Sequence, residues 1–167
     1  MDKLNEKFIE AARRVKLLLM DCDGVLTDGR LYFNLSGEEL KVFHVRDGQG
    51  LVMWHKAGFR SGIITGRKSD MLKLRTEELG VNYLIQNSQN KVDAVKKILA
   101  GENLKFEDVA YIGDDLGDLD VLKLVGVPVV VADCATGLSG FGFHKTLING
   151  GFGAVRELID FLLGAKI

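Results

Sequence analysis

Acidic residues and two phosphate-friendly side chains recur after apolar runs in this sequence. Asp21-Cys22-Asp23-Gly24 follows the run at 15–20, and Thr65-Gly66-Arg67 follows the run ending at Ile64. Lys91 comes shortly after the run at 83–85, and Gly113-Asp114-Asp115-Leu116-Gly117-Asp118 follows the run at 109–112. Carboxylates gathered at one place repel each other, and keeping several ionised is costly unless a cation joins them. Oxygen ligands without clustered His or Cys point to a hard ion, most simply Mg²⁺. The Thr65 hydroxyl and the Lys91 ammonium suit a phosphate group. Carboxylates, a hard cation and a phosphate clamp together make phosphoryl transfer the natural reaction class. Asp21 and Asp23 are two residues apart at a strand end, so their side chains point the same way. One can attack phosphorus as a nucleophile. The other can protonate the leaving oxygen and later activate water.

Each group also has a plainer reading. Asp-Gly pairs favour turns, and carboxylates at a helix start suit its dipole, which covers Asp118 taken alone. Taken singly, Thr65 reads as a cap and Lys91 as a solvated helix residue. A calcium loop at 21–29 is excluded, because Val25 and Leu26 stand where an oxygen ligand and a glycine are needed. His44, His55 and His144 have no mutual metal spacing. What unites the acidic and phosphate-binding candidates is their shared position after strands.

The elements that must position them alternate. The pattern predicts a leading helix at 4–14, then strands at 15–20, 59–64, 83–85, 109–112 and 127–131. Helices at 48–57, 68–79, 91–100 and 115–125 lie between them, with stops at Gly80, Gly101 and Gly126. A weak last strand at 146–148 precedes a closing helix at 154–163. Two short strands, 30–33 and 40–45, form a hairpin around Asn34-Leu35-Ser36-Gly37. Such alternation implies an α/β, Rossmann-like, doubly wound parallel sheet with helices on both faces. Ligands then bind outside the carboxyl ends of the strands, which is where the acidic stretches fall.

The chain has 167 residues, 47% hydrophobic and 27% charged, with a net charge of -1. This is globular composition and predicts one domain spanning 1–167. No basic field argues for nucleic acid or an anionic membrane, and no apolar run is long enough to span a bilayer. No signal-peptide layout opens the sequence, and the two cysteines, Cys22 and Cys134, form no C-x-x-C pair. A cytoplasmic location is the expectation.

The ordered set Asp-x-Asp-Gly-Val-Leu-Thr-Asp-Gly, Thr-Gly-Arg, Lys and Gly-Asp-Asp-x-x-Asp resembles the haloacid dehalogenase phosphatase superfamily. The stretches 33–43, Asp47-Gly48-Gln49-Gly50, Ile64-Thr65-Gly66-Arg67-Lys68 and Gly150-Gly151-Phe152-Gly153-Ala154-Val155-Arg156-Glu157 are similar to its 3-deoxy-D-manno-octulosonate 8-phosphate phosphatase branch. The resemblance implies an aspartyl-phosphate formed on Asp21, with Asp23 as acid/base. It implies Mg²⁺ held by the Asp21 carboxylate, the Asp23 main-chain carbonyl and Asp114, supported by Asp115 and Asp118. Thr65, Gly66 and Lys91 would bind the phosphoryl group. Arg67 and Arg75 are candidates for the sugar-acid carboxylate, with surface ion pairing as their alternative. A homotetramer is implied, with the hairpin at 30–45 packing on its copies and the tail at 150–156 acting as a flap. The stretches 22–64 and 66–90 are each used by the expected elements, leaving no room for a cap domain of roughly 50 residues or more. The implied activity is release of phosphate from the eight-carbon sugar-acid ester in lipopolysaccharide precursor synthesis. Alternatives are an acylneuraminate or nonulosonate 9-phosphate phosphatase and a catalytically silent oligomerisation module of the same fold.

Overall fold

The computed structural model describes residues 3–37 and 39–167, so Glu38 of the hairpin stretch lies outside the described residues. The chain runs α1 (Lys3–Arg14), β1 (Leu17–Met20), β2 (Tyr32–Phe33), β3 (Glu39–Leu40), α2 (Val45–Lys56), β4 (Arg60–Ile64) and α3 (Asp70–Leu79). It continues β5 (Tyr83–Ile85), α4 (Lys91–Glu102), β6 (Val109–Gly113), α5 (Leu119–Leu122), β7 (Val127–Val130), β8 (His144–Lys145) and α6 (Ala154–Gly164). The main sheet has six strands in the order β5-β4-β1-β6-β7-β8. All its pairings are parallel. No helix among the described residues is long and apolar enough to cross a membrane.

A strand covered on both faces must be apolar throughout, and β1 is Leu-Leu-Leu-Met, wholly buried. Alternation divides it between two cores. Leu18 and Met20 pack with Ala12, Leu51, Trp54, Leu158 and Ile159, the side served by α1, α2 and α6. Leu17 and Leu19 pack with Val95, Ile98, Val121 and Leu122, the side served by α4 and α5. From β1 the sheet grows outward through β4 and β5, then returns to the other side for β6. The order therefore reverses between β1 and β6, the position at which sheets of this kind bind ligands, beyond the strand ends.

The doubly wound parallel sheet agrees with the expectation, and several local boundaries differ for physical reasons. Only two residues of each hairpin arm pair, because an isolated two-stranded ribbon has no third strand to lean on. Residue 45, expected in a strand, begins α2, since His44 caps that helix by accepting the Arg46 N–H. Gly101 lies inside α4, and the helix stops instead at Asn103, in the left-handed region at φ 54°. Gly80 does end α3, at φ 67°. The expected helix 115–125 is a tight 3-10 turn at Leu116–Asp118 followed by the short α5. The last strand falls at 144–145 rather than 146–148. Thr146 still donates its N–H to Val130, but the next two N–H groups go to the Glu157 carboxylate and leave the ladder.

Candidate active site

Asp21 is the first residue beyond β1, and its N–H donates to the Ile112 carbonyl at 3.1 Å. Met20 pairs with Ile112 on one side and with Ile63 on the other. The residues after β4 and β6 therefore emerge on either side of Asp21, at one rim. Asp21, Asp114 and Asp118 each offer one oxygen, and these oxygens all lie within 4.8 Å of one another. The distant sequence stretches thus converge as expected for these three acids.

Their partners distinguish them. Asp118 is 1% exposed and saturated. Its Oδ1 accepts from Lys91 Nζ at 2.7 Å and from the Tyr111 hydroxyl at 2.5 Å, and its Oδ2 from the Asp114 N–H at 3.1 Å. Lys91 Nζ also stands 2.9 Å from Asp21 Oδ1, yet off the direction that a hydrogen bond needs. That oxygen is buried without a directed partner. Asp114 donates its N–H to Asp118, while its side chain lies against Gly24. Gly24 sits at φ 85°, and any side chain on it would run into the Asp114 carboxylate. Glycine at 24 is thus what lets the loop after Asp21 close over Asp114.

Crowding acidic groups with little water shifts their proton affinity. Burial, then the Asp118 charge, pushes the Asp21 carboxyl up to about 6 against the pull of Lys91. Burial, then Asp21 and Asp118, pushes Asp114 to about 7. Burial alone would lower Lys91, but the two carboxylates beside it raise it further, so it stays an ammonium. Buried, mutually repelling carboxylate oxygens, one of them without a directed hydrogen bond, form a donor set that suits a hard divalent cation. Asp21 and Asp114 have oxygens to give to such an ion, whereas Asp118 is committed to holding Lys91 and the Asp114 backbone.

Asp23 faces a second group of charges. Lys41 forms an ion pair with Asp23 Oδ1, and Arg67 Nε lies 3.9 Å from Oδ2. Glu39 joins both cations, at 2.9 Å from Arg67 and 3.5 Å from Lys41. Lys41 and Glu39 come from the ribbon β2–β3 and the residues just after it, so this ribbon reaches the rim. The sequence assigns no role to Lys41, which lies within the stretch 33–43, or to Tyr111.

The other expected residues are distributed as follows. Thr65 is 2% exposed just beyond β4, with its hydroxyl oxygen accepting the Arg67 N–H at 3.3 Å. Gly66 is exposed, and a side chain there would approach only the Ser88 carbonyl, at 3.9 Å. Asp115 turns away from the cluster and caps the following turn through the Leu116 N–H at 2.7 Å. Arg75 is not brought to the acids. It pairs with Glu78 at 2.8 Å and lines a small cavity between α2 and α3. Cys22 is buried between the two acids, and burial followed by the Asp23 charge pushes its thiol far up, so it is an inert core group.

Comparison with known proteins agrees with this geometry. Residues 67–139 match the family of haloacid dehalogenase-like hydrolases. The chain is 43% identical over 158 residues to the 3-deoxy-D-manno-octulosonate 8-phosphate phosphatase KdsC of Escherichia coli strain K12, covering 95% of this chain and 84% of that protein. It superposes with a TM-score of 0.94 on the crystal structure of the enzyme of that name from Yersinia pestis, at 42% identity, covering 96% of this chain and 87% of that one. A structure of the Moraxella catarrhalis enzyme, in complex with a magnesium ion, a phosphate ion and a KDO molecule, gives 0.93 at 36% identity, covering 98% and 93%.

Proposed function

Since the chain belongs to the haloacid dehalogenase-like hydrolases, in the family of the 3-deoxy-D-manno-octulosonate 8-phosphate phosphatases, we propose that it removes phosphate from that sugar-acid ester. The observation that carries this reading is the convergence of Asp21, Asp114, Asp118 and Lys91 at the reversal point of the sheet.

In the proposed reaction, Asp21 attacks phosphorus and the bond from phosphorus to the sugar oxygen breaks. Asp23 gives its proton to that oxygen, and the free sugar acid leaves. Water then attacks the aspartyl-phosphate while Asp23 takes its proton, releasing inorganic phosphate and restoring both carboxyl groups. Thr65, the backbone at Gly66 and Lys91 bind the phosphoryl oxygens, and Asp118 and Tyr111 fix the Lys91 ammonium. Mg²⁺, held by the Asp21 and Asp114 carboxylates and the Asp23 carbonyl, supplies positive charge to the phosphoryl group. Asp115 acts indirectly, by capping the turn that carries Asp118, and Arg67 faces the sugar-acid carboxylate.

The whole chain, 1–167, is proposed to act as one uncapped domain in a homotetramer, whose neighbours close each site against water. The exposed apolar side chains Leu31, Phe33, Leu35, Leu40 and Val42 on the ribbon support this assembly. A cytoplasmic location is supported by two free cysteines, Cys22 and Cys134.

Purified protein with MgCl₂ is to be assayed for phosphate release from the eight-carbon ester, an acylneuraminate 9-phosphate and simple hexose phosphates. The expected result is the highest kcat/KM on the first. A preference for the second reassigns the substrate, and no release from any of them overturns the reading. Asp21→Asn is expected to lower kcat by roughly a thousandfold or more with the circular dichroism spectrum unchanged.

A further inference from the structure

The loop that follows Asp21 is braced from the far end of the chain. Gly151 donates its N–H to the Val25 carbonyl at 2.9 Å, and Gly150 donates to Asp133 Oδ1 at 2.9 Å. A side chain at Gly150 would strike the Gly24 carbonyl, so only glycine allows this approach. The same stretch opens α6, whose cap residue Gly153 has no side chain to offer the first N–H groups of the helix. Those groups need acceptors. One comes from a distant element. Asp47 in α2, 1% exposed, accepts the Arg156 N–H through Oδ1 at 2.8 Å.

Two buried polar atoms beside this contact lack hydrogen-bond partners, Asp47 Oδ2 and Arg75 Nε. Both residues line one cavity, with Phe43, Gly48, Leu72 and Leu79 around them, and its room of about 10 Å³ suits a single water. The Arg75 guanidinium is held there by Glu78 and by the bare Cα of Gly48, where any side chain would hit it. A small cavity lined by residues that carry a buried acceptor and a buried donor, with His44 and Thr76 also on its wall, is a place where one water satisfies both.

We propose that Asp47 is a positioning residue of the phosphatase reaction. It tethers the start of α6 so that the 150–153 loop stays seated on the loop after Asp21, and a buried water joining Asp47 to Arg75 completes the tether. This rests on the phosphatase reading above. The loop on which it sits carries Asp23 and Gly24, and Gly24 is the point where Asp114 closes in. Loosening the tether therefore disturbs the reacting groups more than substrate capture.

The test compares wild type, Asp47→Ala, Asp47→Asn, Arg75→Ala and the double alanine variant. Each is read by steady-state kinetics with MgCl₂ and by amide hydrogen exchange. Asp47→Ala is expected to speed exchange at Gly151 and Arg156 by about tenfold while β1 and β6 stay protected. Its kcat falls by about tenfold with KM within roughly twofold. Asp47→Asn, which keeps an acceptor oxygen for Arg156, recovers most of kcat. Arg75→Ala shows a smaller loss of kcat that disappears in the Asp47→Ala background. The proposal is overturned by unchanged kcat in Asp47→Ala, by exchange that accelerates uniformly, or by Arg75→Ala raising KM independently of Asp47. A wild type that hydrolyses no phosphoester defeats the phosphatase reading and with it the catalytic half, while the exchange pattern still decides whether the tether exists.

Discussion

Lys91 is the residue on which the charge balance of the cluster turns. It is the ammonium that touches both Asp21 and Asp118, and all three side chains are mostly buried. Lys91→Met should leave two buried carboxylates uncompensated, lowering stability by about 3 kcal/mol or more. Urea unfolding of metal-free protein measures this, and phosphate release should fall to background. Asp21 and Asp114 carry the pH dependence. Their carboxyls are raised to about 6 and about 7 when folded, against 3.8 for an ordinary aspartate. The folded state thus holds protons that the unfolded chain has lost. Their contribution to stability is full below about pH 4 and is lost as pH rises through 6 to 7. A divalent cation offsets both causes of that loss, the burial of the charged carboxylates first and their mutual repulsion second. The rise in Tm on adding MgCl₂ should therefore be larger at pH 8 than at pH 5, as scanning calorimetry at both values would show. The acids were readable from sequence because each follows an apolar run, and strand ends in such sheets share a rim. Lys41 was not, because its partner Asp23 is distant in sequence and the ribbon between them looks like an ordinary surface hairpin. Tyr111 was hidden as one more apolar residue of a core strand, and its hydroxyl matters only because Asp118 folds back over it.

At the scale of elements, loops that touch each other set the site as much as the strands do. The Asp21–Gly29 loop is knit by the Cys22 carbonyl, which accepts from Val25, Leu26 and Thr27, and by the Thr27 hydroxyl. Gly24→Ala would force a side chain into Asp114 from a left-handed backbone position. The expected result is a fall in Mg²⁺ affinity of about ten- to a hundredfold, measured as the metal concentration for half-maximal activity. Sequence periodicity located β1, β4, β5, β6 and β7, because covered parallel strands are unbroken apolar runs, but it put the last strand at 146–148 instead of the exposed, polar His144–Lys145. It misjudged the piece after β6, where Asp118 draws the chain into a tight turn to reach the Asp114 and Asp115 N–H groups. No local pattern announces that, since the pull comes from a side chain satisfying backbone donors.

For the whole molecule, the ribbon is the feature with unspent apolar surface. Phe33→Asp places a charge in the middle of it. The expected outcome is a change from tetramer to monomer in sedimentation velocity, with kcat/KM falling as the sites open to water. A wild type that already sediments as a monomer would refute the assembly. The position of β1 has a different consequence, one that concerns synthesis. Asp21 emerges early from the ribosome, yet the strand beside it that fixes its backbone, β6, is made well past the middle of the remaining chain, and the glycine brace comes almost at the end. Loop closure over such separations is slow. A nascent chain stalled before Gly150 should therefore own its proposed nucleophile and remain silent, so that chemistry is withheld until translation has nearly finished.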